Sequence, residues 1–200
     1  MTRVAVQIVT FNSGRHIEAC LRSVLSQSLL PDEIIVIDNN SGDDTKQKLA
    51  DFPAARTVFN SENRGFAAAH NQALAMSRSD YVLVLNPDVV LERGYIETLV
   101  KVLDAHPRGG SATGLLLRNH PEHIVDSTGL AITKTRRAYD RGSGAARRDY
   151  DPDVFGVSGA AALYKRAMIE DVSWNGQFFD ESFFAYKEDV DVAWRARLFG

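Results

Sequence analysis

The densest group of reactive side chains is FFAYKEDVDVAWR, residues 183–195. Three carboxylates, Glu188, Asp189 and Asp191, fall within four positions behind Phe183, Phe184 and Tyr186. A helix starting near Lys187 places all three acids in its first turn, where the helix dipole by itself favours negative charge. Three acids exceed what a helix end needs. Aromatic walls that exclude water raise a carboxylate's pKa and make it a better base. The stretch therefore predicts a site of proton abstraction.

Two further groups sit at the ends of apolar runs. YVLVL leads into Asn86, Pro87 and Asp88, and EIIVID leads into Asp38, Asn39 and Asn40. Asp88 is placed to hold Mg²⁺ or Mn²⁺, hard cations that take oxygen ligands and share coordination with phosphates. Asn86 can bond a sugar hydroxyl or orient the site. The plain alternative is an Asn-Pro turn, since the residue before proline is pushed out of the helical region, with Asp88 capping the next helix. Asp38 at a strand end can bond the imide N–H of a uracil or thymine ring, while Asn40 or Ser41 closes the turn. Asp43 or Asp44 reads as an acid at a helix start. In NSENRGF, Gly65 permits close backbone approach and Arg64 can reach a phosphate or base; a loop glycine and a surface arginine explain the pair equally well.

Placing these groups together requires strands that end at one edge. The pattern predicts a buried strand over 3–10, a helix from about 14 that Pro31 ends, and a strand at EIIVID. It continues with a short polar helix over 43–51, a strand at RTVFN, a helix over 65–78, a strand at YVLVL and a helix over 92–105. Asn12 or Ser13 is available to cap the first helix, and Ile96, Leu99, Val100 and Leu103 form the inner stripe of the last. Alternating strands and helices imply crossovers and a mostly parallel sheet covered on both faces. In such sheets ligands bind beyond the carboxyl ends of the strands, which is where Thr10–Asn12, Asp38–Ser41 and Asn86–Asp88 fall. After about residue 110 the alternation stops. GSATGLLLRN and IVDSTGLAI read as further strands, and TKTRRAYDRGSGAARRDYDPD as a long basic loop. Its Lys134, Arg136, Arg137, Arg141, Arg147 and Arg148 could fold over a diphosphate, meet an anionic lipid-linked acceptor, or remain solvated.

The 200 residues are 44% hydrophobic and 24% charged, enough for one domain with a real core. A net charge of −3 gives no pull towards a polyanion, so nucleic acid is not an expected partner. The apolar runs are too short to span a membrane, and the start reads as a strand rather than a signal peptide, which gives a cytoplasmic expectation. The single cysteine, Cys20, lies on the apolar side of a helix and reads as core. His70 and His106 read as packing or surface residues. There is no GxGxxG after the first strand and no GxxxxGK[ST], so neither a dinucleotide site nor a P-loop is indicated.

In chain order, VTFNS, VIDNNSGDDT, ENRGFAAAHN, LNPDV and EDVDVAWR resemble the motifs of the family 2 glycosyltransferases, across essentially the whole chain. FFAYKEDVDVAWR is similar to the bacterial rhamnosyltransferase-like branch. The resemblance implies a GT-A, Rossmann-like α/β/α fold in one domain, with a nucleotide-binding half over 1–118 and an acceptor and catalytic half over 119–200. It implies an inverting transfer of a sugar from a UDP- or dTDP-sugar, such as dTDP-rhamnose, to a saccharide or lipid-linked acceptor in cell-surface polysaccharide synthesis. Thr10, Phe11 and Asn12 would border the base, Asp38 would read its edge with Asn40 nearby, and Arg64 and Gly65 would flank the nucleotide. Asp88 matches the last carboxylate of the family's DxD, the Mg²⁺ or Mn²⁺ ligand, with Asn86 where the first carboxylate usually stands. Asp189 matches the catalytic base, with Glu188 beside it, and Gly159 a small residue that lets sugar or acceptor approach the backbone. The resemblance also implies further chain beyond residue 200, including a histidine for the metal; none of the five histidines here follows residue 123. A lipid-linked acceptor leaves room for peripheral attachment at the inner membrane face, and a homodimer is compatible with the reading. The competing expectation is a nucleotide-sugar-binding domain or fragment without turnover.

Overall fold

The computed structural model describes residues 2–119 and 123–199. Strands β1 (Val4–Thr10), β2 (Glu33–Asp38), β3 (Arg56–Phe59) and β4 (Tyr81–Leu85) alternate with helices α1 (Ile17–Leu25), α2 (Thr45–Leu49), α3 (Gly65–Ala75) and α4 (Tyr95–Ala105). Short strands follow: β5 (Ser111–Thr113), β6 (Leu116–Leu117), β7 (Val125–Ser127), β8 (Leu130–Ile132) and β9 (Ala138–Asp140). The described chain closes with β10 (Ala161–Lys165), α5 (Arg166–Val172), a 3-10 turn at Glu181–Phe183 and α6 (Glu188–Phe199).

The main sheet has the order β3-β2-β1-β4-β10-β5. The pairs β3–β2, β2–β1 and β1–β4 are parallel, as the alternating pattern predicts, and β10 runs antiparallel to both its neighbours. Successive side chains of a strand point to opposite faces, so both faces must be apolar. Val4, Val6 and Ile8 pack with Leu83 and Leu85 under α1 and α4. Val82 and Val84 face the other way, towards Tyr164, Phe178, Phe179 and Val192. Ile35 and Ile37 meet Ala69 and Ala73 of α3; the small residues of that helix let it lie close to the sheet.

Register decides what reaches the edge. Thr10 pairs with Asp38 and Ile8 with Leu85, so Phe11, Asn39 and Asn86 all leave the sheet on one side. Ala161 pairs with Leu85, which brings Gly159 and Ala160 to the same edge. The Asn86 N–H donates to the Ala160 carbonyl at 2.8 Å.

Three local expectations need correction. α1 ends at Leu25, not at Pro31, because Ser23 and Ser26 hydroxyls and the Gln27 amide turn back onto backbone carbonyls and compete with the helix. Its first N–H groups are met by the Ser13 carbonyl rather than by a side-chain cap. The basic segment is not one long loop: β9 lies within it and pairs back onto β8, the end of IVDSTGLAI, and Arg141 donates to the carbonyls of Thr128, Asp151 and Asp153. β10 and α5 lie where sequence pattern assigns no element.

Candidate active site

A cleft of about 320 Å³ opens beyond the carboxyl ends of β1, β2 and β4, between Phe11 on one side and Asn86, Pro87 and Asp88 on the other. Phe11 is 50% exposed, an apolar ring left uncovered at the strand end. Asn12, at φ 52°, ties two loops together: its N–H donates to the Ser41 hydroxyl and its Oδ1 accepts from the Gly42 N–H. Thr10 is buried and donates to Asp38 Oδ2 at 3.0 Å.

Asp38 does not sit where a base could meet it. It is fully buried, and its oxygens accept from Thr10, from the Ser41 N–H at 3.0 Å and from the Ser41 hydroxyl at 2.5 Å. The geometry is that of a bracket joining β1 to the turn after β2. The next residue, Asn39, borders the cleft but is itself only 1% exposed. Its Nδ2 donates to the Gly65 carbonyl at 2.9 Å, and its Oδ1 accepts from Asn60 at 2.9 Å. Asn40 is exposed at φ 66° and closes the turn.

Gly65 lines the cleft, whereas Arg64 is exposed and stands outside its wall. Gly65 has φ +81°, and a Cβ there would lie 2.5 Å from the Phe184 carbonyl oxygen. That carbonyl accepts from the N–H groups of Phe66 at 2.6 Å and Ala67 at 3.3 Å. The start of α3 is thus capped by the strand of chain that leads into α6, not left open to a phosphate. Phe184 and Ala185 belong to the cleft wall. Phe184, Tyr186 and Lys187 take φ values of 56°, 70° and 76°. Side chains of this size in the left-handed region are strained by about 1–3 kcal/mol each, and such strain persists only where surrounding contacts hold it.

This strained segment delivers the carboxylates. Asp189 Oδ2 accepts the Gly159 N–H at 3.1 Å and Oδ1 accepts its neighbour's N–H, that of Val190, at 2.8 Å. Burial raises the Asp189 pKa, and the two hydrogen bonds pull part of the way back. Glu188 is 6% exposed, and its Oε2 has no hydrogen-bond partner among the described residues. Burial pushes its pKa up to about 7, with the adjacent Asp189 charge adding to the rise. Asp191 behaves differently. It pairs with Arg195 at 2.6 Å, and Arg195 also donates to the carbonyls of Val172 and Phe178, so the third acid is structural. Asp189 and Glu188 are not in the wall of the 320 Å³ cleft. The connection runs through backbone: Gly159 binds Asp189, and Ala160 binds Asn86. Of residues 38, 88 and 189, then, one lines the cleft, one is buried beneath it, and one stands beside it.

The donor set for a cation is small. Among the described residues, no three His, Cys, Asp or Glu side chains come together as a metal group. Cys20 points its thiol at the Asn86 carbonyl, but burial, and then the charge of Asp88, push its pKa up to about 12. It stays protonated and packs. Asp88 is an exposed carboxylate on the open cleft, which fits a hard cation held by one protein carboxylate and a ligand's phosphate oxygens. His70 is buried between Phe66 and Phe179, pushed down to about 3 by burial, and is a neutral packing group. His106 is exposed and bonds the Val102 carbonyl at the end of α4.

Comparison with known proteins agrees with this architecture. The chain is 28% identical to an N-acetylglucosaminyl-diphospho-decaprenol L-rhamnosyltransferase of Mycobacterium tuberculosis, over 94% of this chain and 68% of that protein. It is 25% identical to a poly-beta-1,6-N-acetyl-D-glucosamine synthase of Staphylococcus epidermidis, over 98% of this chain and 46% of that one. Among solved structures it superposes on the mannosyltransferase PcManGT of Pyrobaculum calidifontis, in complex with GDP-Man and Mn²⁺, with a TM-score of 0.71 at 22% identity, over 99% of this chain and 52% of that chain. S. aureus TarS 1-349 in complex with UDP-GlcNAc gives 0.68 at 20%, over 99% and 54%. The chain thus spans about half the length of most of these proteins, and the fold is GT-A. The family model described as glycosyl transferase family 2 matches residues 5–173, and the chain belongs to that family.

Proposed function

We propose that the domain transfers a sugar, with inversion, from a nucleoside-diphosphate donor to a hydroxyl of a saccharide or lipid-linked acceptor in the synthesis of a cell-surface polysaccharide. The observation that carries the proposal is the path Asp189–Gly159–Ala160–Asn86, which sets a desolvated carboxylate pair beside the loop bearing Asp88. Asp189 Oδ takes the proton of the acceptor hydroxyl as that oxygen attacks the anomeric carbon, while the bond from that carbon to the diphosphate oxygen breaks on the opposite face. Burial that raises the Asp189 pKa makes it a stronger base, a contribution of about 10²–10⁴ in rate. Asp88 would hold Mg²⁺ or Mn²⁺, which when bound stabilises charge on the departing diphosphate. Phe11 offers a ring face to the base, and Asn39 stands in the adjoining wall, its amide holding the Gly65 carbonyl. The rhamnosyltransferase relative supports dTDP-rhamnose as donor, and the UDP-GlcNAc neighbour supports a UDP-sugar. A lipid-linked acceptor would bring the domain to the inner membrane face; among the described residues no helix is long and apolar enough to cross it.

The test is sugar transfer and donor hydrolysis measured with UDP-, dTDP- and GDP-sugars, with and without Mn²⁺, on the parent, Asp189→Asn and Asp88→Asn. Asp189→Asn should lose turnover at least a hundredfold and keep donor binding, whereas Asp88→Asn should lose both. Donor binding with no sugar release by the parent would favour a domain that binds nucleotide sugars without turnover.

A further inference from the structure

A second cavity, of about 590 Å³, lies on the other side of the segment that enters α6. Phe184 and Ala185 face the donor cleft, while Phe183 and Lys187 face this second cavity. Its remaining wall combines Arg136 and Arg137 with Val190, Asp191 and Trp194 of α6. The wall is strongly cationic. Arg136, Arg137 and Lys187 form no ion pair among the described residues, whereas Asp191 is neutralised by Arg195 at 2.6 Å. Three unpaired cations around one concavity repel one another and are stabilised by an anion that bridges them.

The backbone that presents the two exposed arginines is fixed. They sit in the turn of the β8–β9 hairpin, where Thr133 accepts from the Arg136 N–H at 2.9 Å and from the Arg137 N–H at 3.0 Å. Arg136 adopts φ 63° there. Opposite them, Trp194 is fixed edge-on against Phe155 at 5.1 Å, and with the Phe183 ring it supplies flat apolar surface suited to a sugar face or an alkyl chain. Asp189 lies between Lys187 and Val190 in sequence, so a ligand in this cavity meets α6 at the turn that carries the proposed base.

We propose that this cavity binds a phosphate or diphosphate group carried by the acceptor, with Arg136, Arg137 and Lys187 on the anion and Trp194 and Phe183 against the adjoining sugar or alkyl group. The proposal rests on the glycosyl-transfer reading for its word "acceptor", but the anion site itself does not. Arginine recognises phosphate through planar paired N–H groups and lysine as a point charge, so diphosphate is preferred over an isolated carboxylate. The same chemistry is present in the donor's diphosphate, and the test separates the two.

Trp194 lines the cavity and reports its occupancy, and Trp174→Phe removes the other indole signal. Titrating inorganic pyrophosphate into the Trp174→Phe chain should change Trp194 fluorescence saturably and more weakly at high salt. The change should persist with UDP at saturation. Arg136→Ala/Arg137→Ala should weaken it about tenfold. A signal abolished by UDP would assign the anion to the donor, and one indifferent to the two arginines would remove the site; either result overturns the proposal. In transfer assays, the parent should prefer an alkyl-diphosphate-linked monosaccharide over the methyl glycoside of the same sugar, through KM rather than kcat. The double variant should bring that ratio towards one. If no transfer occurs, the pyrophosphate titration still decides the anion site, so the two readings fail separately.

Discussion

Replacing Glu188 by glutamine tests the claim that the carboxylate pair is desolvated. Glu188 is 6% exposed, its Oε2 lacks a partner among the described residues, and its pKa rises from 4.5 to about 7, chiefly through burial. The folded protein therefore holds this proton at pH values where the unfolded chain has released it. Between pH 4.5 and 7 the native state binds more protons, and stability falls as pH rises. At about 1.4 kcal/mol per pH unit, the shift corresponds to a penalty of about 3 kcal/mol that is absent below pH 4.5 and complete above pH 7. Glu188→Gln cannot ionise, so the variant escapes that penalty. Its buried amide carries a cost of about 1–3 kcal/mol for an unmatched donor, but that cost is the same at every pH. Urea unfolding of both proteins at pH 4.5, 6 and 8 separates the two effects. The stability of the variant relative to the parent should improve by about 2–3 kcal/mol from the lowest pH to the highest. Asp189, also raised by burial, titrates in both proteins and largely cancels. A difference constant to within about 0.5 kcal/mol across this range would refute the desolvation argument, and with it the physical basis for a strengthened base.

Gly65→Ala should cost about 2 kcal/mol or more, since φ +81° is unfavourable for alanine and the new Cβ would lie 2.5 Å from the Phe184 carbonyl. For a chain of this size that lowers Tm by about 4–8 °C, and a parent-like Tm would contradict the close approach. Arg195→Met should destabilise by about 3 kcal/mol, because it strands a half-buried Asp191 and removes donors from two carbonyls. Adding Asp191→Leu should recover more than half of that loss in denaturant melts; no recovery would show that the pair is not what is being broken. Asp38→Asn should reduce stability by about 1–2 kcal/mol through weakened bonds to Thr10 and Ser41. Were stability unchanged and UDP affinity lost, Asp38 would be a ligand-binding residue after all.

The contrast between Asp38 and Asn39 shows what the chain discloses and what it withholds. Periodicity and strand-helix alternation are local, and they place β1 to β4 and the shared edge at which Phe11, Asn86 and Asp88 emerge. Which of two adjacent polar residues borders the cleft depends on register, and a shift of one residue reverses the side. Asp38 is still paired with Thr10 in the ladder and points into the protein; Asn39 is the first residue past it. β10 is invisible for a related reason. Its AALYK has little strand character, and its place between β4 and β5 is fixed by antiparallel pairing with residues far away in the chain. The segment before α6 is harder still, since nothing in Phe184, Tyr186 or Lys187 suggests a left-handed backbone. The signal that Asp191 is structural was present, however: an acid four residues before an arginine on one helix face is the spacing of an ion pair. Subtracting that pair leaves Glu188 and Asp189, the two acids that burial does shift upward. In the proposed transfer the chemistry falls to what the helix does not neutralise, and the strained segment in front of it turns Phe184 and Ala185 to one cavity and Phe183 and Lys187 to the other.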